Sequence, residues 1–193
     1  MRQEFVDGTI NIFICQNANT TGGIGTTLGY YDPQDDWLVL RKQEISYGSE
    51  TIPHELGHYF DLLHPFNGWD SVAYDSNLHG NPVQQISPGS VPNENVVQTG
   101  GCNNCQTAGD YICDTPPDYN FGFGWPNCNY TAQTMDPCGD VVDPMETNFM
   151  SYFLSCSEYE FTPDQVDLVH ASYSLECKRI VSIQTLHRQQ QPQ

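Results

Sequence analysis

Three short runs of β-branched and aromatic residues open the chain, and each carries the apolar character of a strand. Thr9-Ile10-Asn11-Ile12-Phe13-Ile14-Cys15 reads as a buried strand. The glycines of Thr21-Gly22-Gly23-Ile24-Gly25 then mark a loop. A second extended run, Thr26 to Tyr31, stops at Asp32-Pro33, and Trp37 to Lys42 forms a third. Next comes a helix. Pro53 lacks an N–H and must fall among the first helical positions, which makes Thr51 the expected N-cap. After His64 the periodicity fades. From Pro65 to Cys138 the chain is rich in Pro, Gly, Asn, Asp and Cys, a composition of long loops that need covalent or metal staples. Regular patterning returns at Phe161, with Thr162 as N-cap, Pro163 in the first position and acids in the first turn. That helix is expected to run to about Cys177, ahead of a polar, disordered tail from Arg188 to Gln193.

The first helix carries the chemistry. His54 and His58 lie one turn apart on the same face, where two imidazoles can close on one metal ion. Glu55 is adjacent and can reach a water at that metal as a general base. His64 is the expected third ligand. On an unbroken helix it would lie about 9 Å further along the axis and about 240° around from His58, so the helix must end between them. Asp61 is the residue to turn the chain back, with positive φ, because Asp follows Gly and Asn in tolerating that region.

At 193 residues the chain is long enough for one domain with a real core. Six Lys plus Arg against 24 Asp plus Glu give a net charge of −18, which excludes nucleic acid and anionic membrane as partners and favours proteins, cations or basic peptides. No stretch approaches the ~18 apolar residues of a membrane-inserting span. Eight cysteines point to disulfides and to a compartment outside the cytosol. Cys102-x-x-Cys105 has no second such pair to complete a zinc ribbon and no βαβ pattern around it. Six cysteines lie from Cys102 to Cys156, so the bridges should staple that region, with their partners open. Residues 1 to 5 contain no apolar run of signal-peptide length, so the expected chain is a trimmed protein or a fragment. Asn19 and Asn129 head glycosylation sequons, and His79, His170 and His187 read as isolated surface or cap residues. The segment from Cys102 to Asp118 has few apolar residues but holds Asp110, Asp114 and Asp118, hard oxygen donors of the kind Ca²⁺ selects.

The stretch from His54 to His64 resembles the metzincin zinc-peptidase signature H-E-x-x-H-x-x-G-x-x-H, with Asp61 where Gly is commonest. Asn148-Phe149-Met150-Ser151-Tyr152 is similar to the turn that places a Met beneath the zinc, with a Tyr two residues on. Together with Gly109-Asp110-Tyr111-Ile112-Cys113-Asp114-Thr115-Pro116-Pro117, and with the segment from Asn148 to Gln165 containing Cys156, these features resemble the pappalysin and cytophagalysin family of metzincins over residues 9 to 175. The resemblance implies an α+β domain in which a small twisted sheet and the zinc helix lie above a cleft, with a loop-rich, disulfide-stapled lower part and a C-terminal helix below. It divides a single catalytic domain, 1–193, into an upper part to about 64, a lower part over 65–178 and a tail over 179–193. It also implies a secreted endopeptidase, a bridge between Cys128 and Cys156, and structural calcium near the cleft, for which Asp110, Asp114 and Thr115 are the candidate ligands. Members of the family carry strands and a backing helix ahead of the strand placed at Thr9, so the N-terminal part of the domain is expected to be incomplete.

The reading is a zinc-dependent endopeptidase acting on proteins or peptides. Zinc is held by His54, His58 and His64, Glu55 is the general base, Tyr152 the oxyanion donor, and Leu28 to Tyr31 the sheet edge on which an extended substrate pairs. One rival is a catalytically silent, zinc-stabilised binding or adhesion module. Intact Glu55 argues against it, since a purely structural site needs no base and usually has four protein ligands. A thermolysin-type site, whose third ligand is a Glu, is disfavoured by His64 at metzincin spacing. Oligomeric state and cleavage preference are not legible at this level.

Overall fold

A computed structural model describes residues 5–6, 8–18, 27–46, 48–125 and 127–175. The upper part is a three-stranded mixed sheet in the order β1-β3-β2: β1 is Asn11–Cys15, β2 Gly29–Asp32 and β3 Trp37–Arg41. β1 runs parallel to β3, with Asn11 opposite Trp37, and β2 antiparallel, with Gly29 opposite Leu40. Trp37, Leu38, Val39 and Leu40 are all buried because β3 is central and covered on both faces. The β2–β3 turn is local chemistry: the Asp32 carboxylate accepts from the Gln34 N–H at 3.0 Å, and Asp36 takes the left-handed φ of 57°.

β1 departs from expectation. Ile12, Phe13 and Ile14 are 43, 41 and 52% exposed, so the strand is not buried. An edge strand is covered only where another layer reaches it, and among the described residues only β3 pairs with it.

The helix α1 spans Thr51–Tyr59 and packs on β2 and β3. Glu50, not Thr51, holds its N-cap position, and no side chain caps it. Thr51 already lies in the first turn, where its hydroxyl donates to Glu44 at 3.4 Å, a carboxylate gripped by Arg41 at 2.7 Å. Pro53, third in the helix, gives up an N–H that had no intrahelical partner.

Below the sheet the chain has little regular structure: α2 (Ser76–His79) and short 3₁₀ turns at Gly100–Cys102 and Gly122–Gly124. Its core is mostly aromatic, with Phe66, Trp69, Tyr119, Phe121, Tyr130 and Phe153 packed around Val83 and Val142. Three disulfides staple it: Cys102–Cys138, Cys105–Cys113 and Cys128–Cys156. Each removes conformations from the unfolded chain, worth roughly 2–4 kcal/mol apiece. Cys102 and Cys105 thus bond to other partners, not to each other or to a metal. Cys15 is free among the described residues. Cys177, His187, the Asn19 sequon, the glycines at 22–25 and the tail from Arg188 lie outside the described residues.

The C-terminal helix, α3, covers 163–175. Its start is a reciprocal capping box: the Gln165 N–H donates to the Thr162 hydroxyl at 3.3 Å, and the Thr162 N–H donates to Gln165 Oε1 at 3.0 Å. Gln165 is wholly buried because the same amide also exchanges hydrogen bonds with Asn148, at 2.9 and 3.3 Å. Asn148 in turn accepts from the Met150 N–H at 2.8 Å. The cap of α3 therefore fixes the turn that carries Met150. No helix among the described residues is long and apolar enough to cross a membrane.

Candidate metal centre and catalytic site

α1 ends in a Schellman motif. The Leu62 N–H donates to the Gly57 carbonyl at 2.9 Å and the Asp61 N–H to the His58 carbonyl at 3.1 Å, with Asp61 at φ 69°. The Asp61 carboxylate also accepts from the Ser172 hydroxyl at 2.8 Å, which ties the turn to α3. The reversal brings His64 back beside the helix. Its Nε2 lies 3.0 Å from Nε2 of His58 and 3.2 Å from Nε2 of His54. Three nitrogens at tetrahedral corners with Zn–N bonds of about 2.0–2.1 Å would stand about 3.3–3.4 Å apart, so this spacing fits zinc.

The tautomers follow from the other ring nitrogens. Nδ1 of His54 meets the Phe149 carbonyl at 2.7 Å and Nδ1 of His58 the Leu62 carbonyl at 2.8 Å; a carbonyl only accepts, so both Nδ1 atoms carry the proton. Nδ1 of His64 donates to Asp70 at 2.6 Å. Burial, and then the neighbouring imidazoles, hold His54 well below its ordinary pKa and His58 down at about 4, so both are neutral at physiological pH. Nε2 of His64 thus stands within hydrogen-bond distance of Nε2 on both His54 and His58, and imidazole nitrogens converged in this way are what a divalent metal binds.

Asp70, the Phe149 carbonyl and the Leu62 carbonyl were not legible in the sequence. Burial pushes the Asp70 carboxyl up, but hydrogen bonds from His64 and from the Gly68 N–H outweigh it and hold it below the usual carboxylate range. Phe66 stacks on the other side of His64, with ring centroids 4.4 Å apart. Asp70→Asn is expected to weaken zinc binding about 10–100-fold, because the amide no longer fixes the His64 ring as a charged acceptor. Competition with a chromogenic chelator measures it, and an unchanged affinity would reduce Asp70 to a surface acid.

Beneath the ligands, Met150 is fully buried with Leu62 and Ile112. Gly57 is required here: a Cβ on it would come within 2.3 Å of the Met150 sulfur. The Gly inside the His-Glu stretch is thus the close-approach point between α1 and the Met turn.

Glu55 is 5% exposed. Burial pushes its carboxyl up to about 8, while a hydrogen bond from the Tyr31 N–H on β2 pulls the other way. The Tyr152 ring lies 5.7 Å from His54 and 5.0 Å from His64. Burial, then the carboxylates of Glu55 and Asp70, raise its pKa, so the hydroxyl keeps its proton as a donor. His54, Glu55 and Tyr152 line one cleft with Gly29 and Tyr30 of β2.

Among the candidate calcium residues, Asp110 lies within electrostatic reach of Asp114. Asp114 accepts from the Asp164 N–H at 2.9 Å, at the start of α3, and Asp118 accepts from the Ser151 hydroxyl at 2.8 Å. Asp110 stands beside Thr115, and both Asp110 Oδ2 and Thr115 Oγ1 are buried without a partner at hydrogen-bond geometry. A further acid that acts on Asp110 is Glu94, 3% exposed, whose Oε2 lies beside Gly109. Burial and then Asp110 push Glu94 up to about 9, and burial pushes Asp110 to about 7. Glu94 lies in an unpatterned loop and gave no sequence signal.

No family model matches the sequence, and no curated protein matches it. Among solved structures, mature mirolysin from Tannerella forsythia, in complex with a cleaved peptide, is similar at 20% identity and a TM-score of 0.47, over 83% of this chain and 50% of that one. The chain therefore spans about half the length of that structure.

Proposed function

We propose that the chain is a zinc-dependent endopeptidase of metzincin type that works outside the cytosol. The observation that carries the reading is the convergence of three imidazoles, with His64 Nε2 3.0 Å from that of His58 and 3.2 Å from that of His54, and a buried carboxylate on the residue after His54. Zinc, when bound, supplies a Lewis acid that acidifies a water and polarises the scissile carbonyl. Glu55 accepts the proton of the attacking water and delivers it to the leaving amine. The Tyr152 hydroxyl donates to the oxygen on which negative charge develops. β2, an edge strand among the described residues, faces the same cleft and is where an extended peptide would pair, through backbone groups other than the Tyr31 N–H that Glu55 takes. Kinship with the pappalysin and cytophagalysin metzincins is part of the proposal, supported by Met150 under Gly57 and by the Asn148–Gln165 amide pair that holds its turn. The three disulfides support an oxidising compartment. Cleavage of unstructured peptides by zinc-loaded protein, abolished by a zinc chelator, tests the reading. Tyr152→Phe should then lose about 2–4 kcal/mol in kcat with KM little changed; an unchanged kcat would assign Tyr152 to packing alone.

Calcium belongs to the same proposal, at Asp110 and Thr115, whose Oδ2 and Oγ1 are buried without a hydrogen-bond partner, with the buried Glu94 carboxyl acting on Asp110. A carboxyl whose folded pKa is raised binds a proton that the unfolded chain has already released. Calcium-free stability therefore falls as pH climbs from about 4 through the folded values near 7 and 9. A cation binds the deprotonated pair, so its stabilising effect grows over the same window. With zinc saturating, calcium should raise Tm more at pH 8 than at pH 5. A shift that is absent, or equal at both, removes calcium from this site.

A further inference from the structure

The cleft beside the metal centre has a volume of about 550 Å³, and its two walls differ in chemistry. The upper wall is β2 and the start of α1. The lower wall comes from the turn Gly122–Gly124 and the segment after Tyr152. These two lower pieces are locked together: a Cβ on Gly122 would come within 2.4 Å of the Phe153 nitrogen and the Tyr152 carbonyl carbon, so their backbones are in contact. Along the second piece burial alternates. Phe153, 1% exposed, belongs to the lower core, and Tyr152 and Leu154 are the more exposed of the residues that this piece gives to the cleft. Phe123 and Leu154 are left 38% and 45% exposed on the same cleft as His54 and Glu55.

We infer that this wall is a specificity pocket that takes a large apolar side chain, aliphatic or aromatic, on a residue flanking the scissile bond. The inference rests on the peptidase reading above. Its support is that two large apolar side chains, held by contacting backbones, are exposed where substrate must pass and gain by being covered. The net charge of −18 favours basic peptides at long range, but ions screen that field within about 8 Å at physiological salt, so it speeds encounter without choosing one side chain. The acids that line the cleft are elsewhere engaged or elsewhere placed. Asp70 holds His64 and the Gly68 N–H, Glu55 takes the Tyr31 N–H, and Glu50 belongs to the upper wall at the cap of α1.

Zinc-loaded protein is given a mixed peptide library, and the cut sites are read by mass spectrometry. Leu, Ile, Met, Phe and Tyr should be enriched at one position flanking the cut. In matched peptides differing only as Leu or Lys there, kcat/KM should favour Leu by about tenfold or more. Leu154→Asp should reverse the ratio toward Lys while the zinc content stays the same. Enrichment of basic or acidic residues, an absence of preference, or a Leu154→Asp protein with an unaltered ratio would overturn the inference. If the wild type cuts nothing, the peptidase reading fails on its own. The pocket is then judged by equilibrium binding of the same Leu and Lys peptides to zinc-loaded protein, where tighter binding of the Leu peptide supports it and equal or weaker binding overturns it.

Discussion

Glu55→Gln is expected to lower kcat by about 10²- to 10⁴-fold while leaving one zinc per chain. Gln keeps the shape of the side chain and still accepts from the Tyr31 N–H, but its amide cannot take a proton from water. A loss of that size is about 3–5 kcal/mol of transition-state stabilisation, too large for a small shift in packing. A second readout separates chemistry from damage. In the metal-free protein above about pH 8 the native side chain is ionised and carries a desolvation penalty that a neutral amide lacks. The metal-free variant should therefore melt no lower than wild type at that pH. Retention of more than about a tenth of wild-type kcat, a loss under about 1.4 kcal/mol, would take the general-base role away from Glu55. In the rival reading, in which the metal only braces a binding module, the substitution changes neither zinc content nor peptide binding, and there is no turnover for it to remove.

His64→Ala is expected to have the second-largest effect, because two imidazoles one helical turn apart remain and the site loses its closing ligand. Taking roughly a third of the ~10 kcal/mol typical of a zinc site, affinity should fall about 10²- to 10³-fold. Activity should fall with it at limiting zinc. Stripping zinc from the wild type should lower Tm as well, since a metal that binds only the folded site stabilises it. Mass action alone predicts about 4 kcal/mol of stabilisation at a thousandfold excess of zinc over Kd. Competition against a chelator of known affinity, followed by a melt, checks both statements. A His64→Ala protein that bound zinc as tightly as wild type would remove His64 from the ligand set, and a Tm indifferent to zinc would mean that the metal does not brace the junction of α1 with the loop that carries His64.

The structure also narrows what Asp61 can be replaced by. Sequence reasoning asked only for a residue that tolerates positive φ, which Gly satisfies best. The carboxylate, however, accepts from Ser172 of α3. Gly would relieve the backbone at 69° and lose that tie, so the local and tertiary preferences at this position oppose each other.

What the sequence determined by itself is what depends on short spacing. Helical period puts His54 and His58 on one face; the impossibility of reaching His64 along a straight helix demands a turn; Thr162-Pro163 has the order of an N-cap and a first helical position. Each is a relation among residues within about ten positions, where backbone geometry alone limits the outcome. The same local reasoning misled where neighbours decide. The apolar run at Ile12 to Ile14 has strand chemistry, but burial depends on what lies across the sheet edge, and Thr51 is a good cap residue that falls one position inside the helix. The partners that finish the site were decided only by tertiary structure. The Phe149 carbonyl reaches His54 from 95 positions away, Met150 meets Gly57, and Glu94 comes to Asp110 through loops without periodicity. A carbonyl oxygen carries no residue identity, and a buried carboxylate is the same letter as an exposed one. Such contacts leave no local pattern in the sequence, and they form only when packing brings distant segments to the same few ångströms.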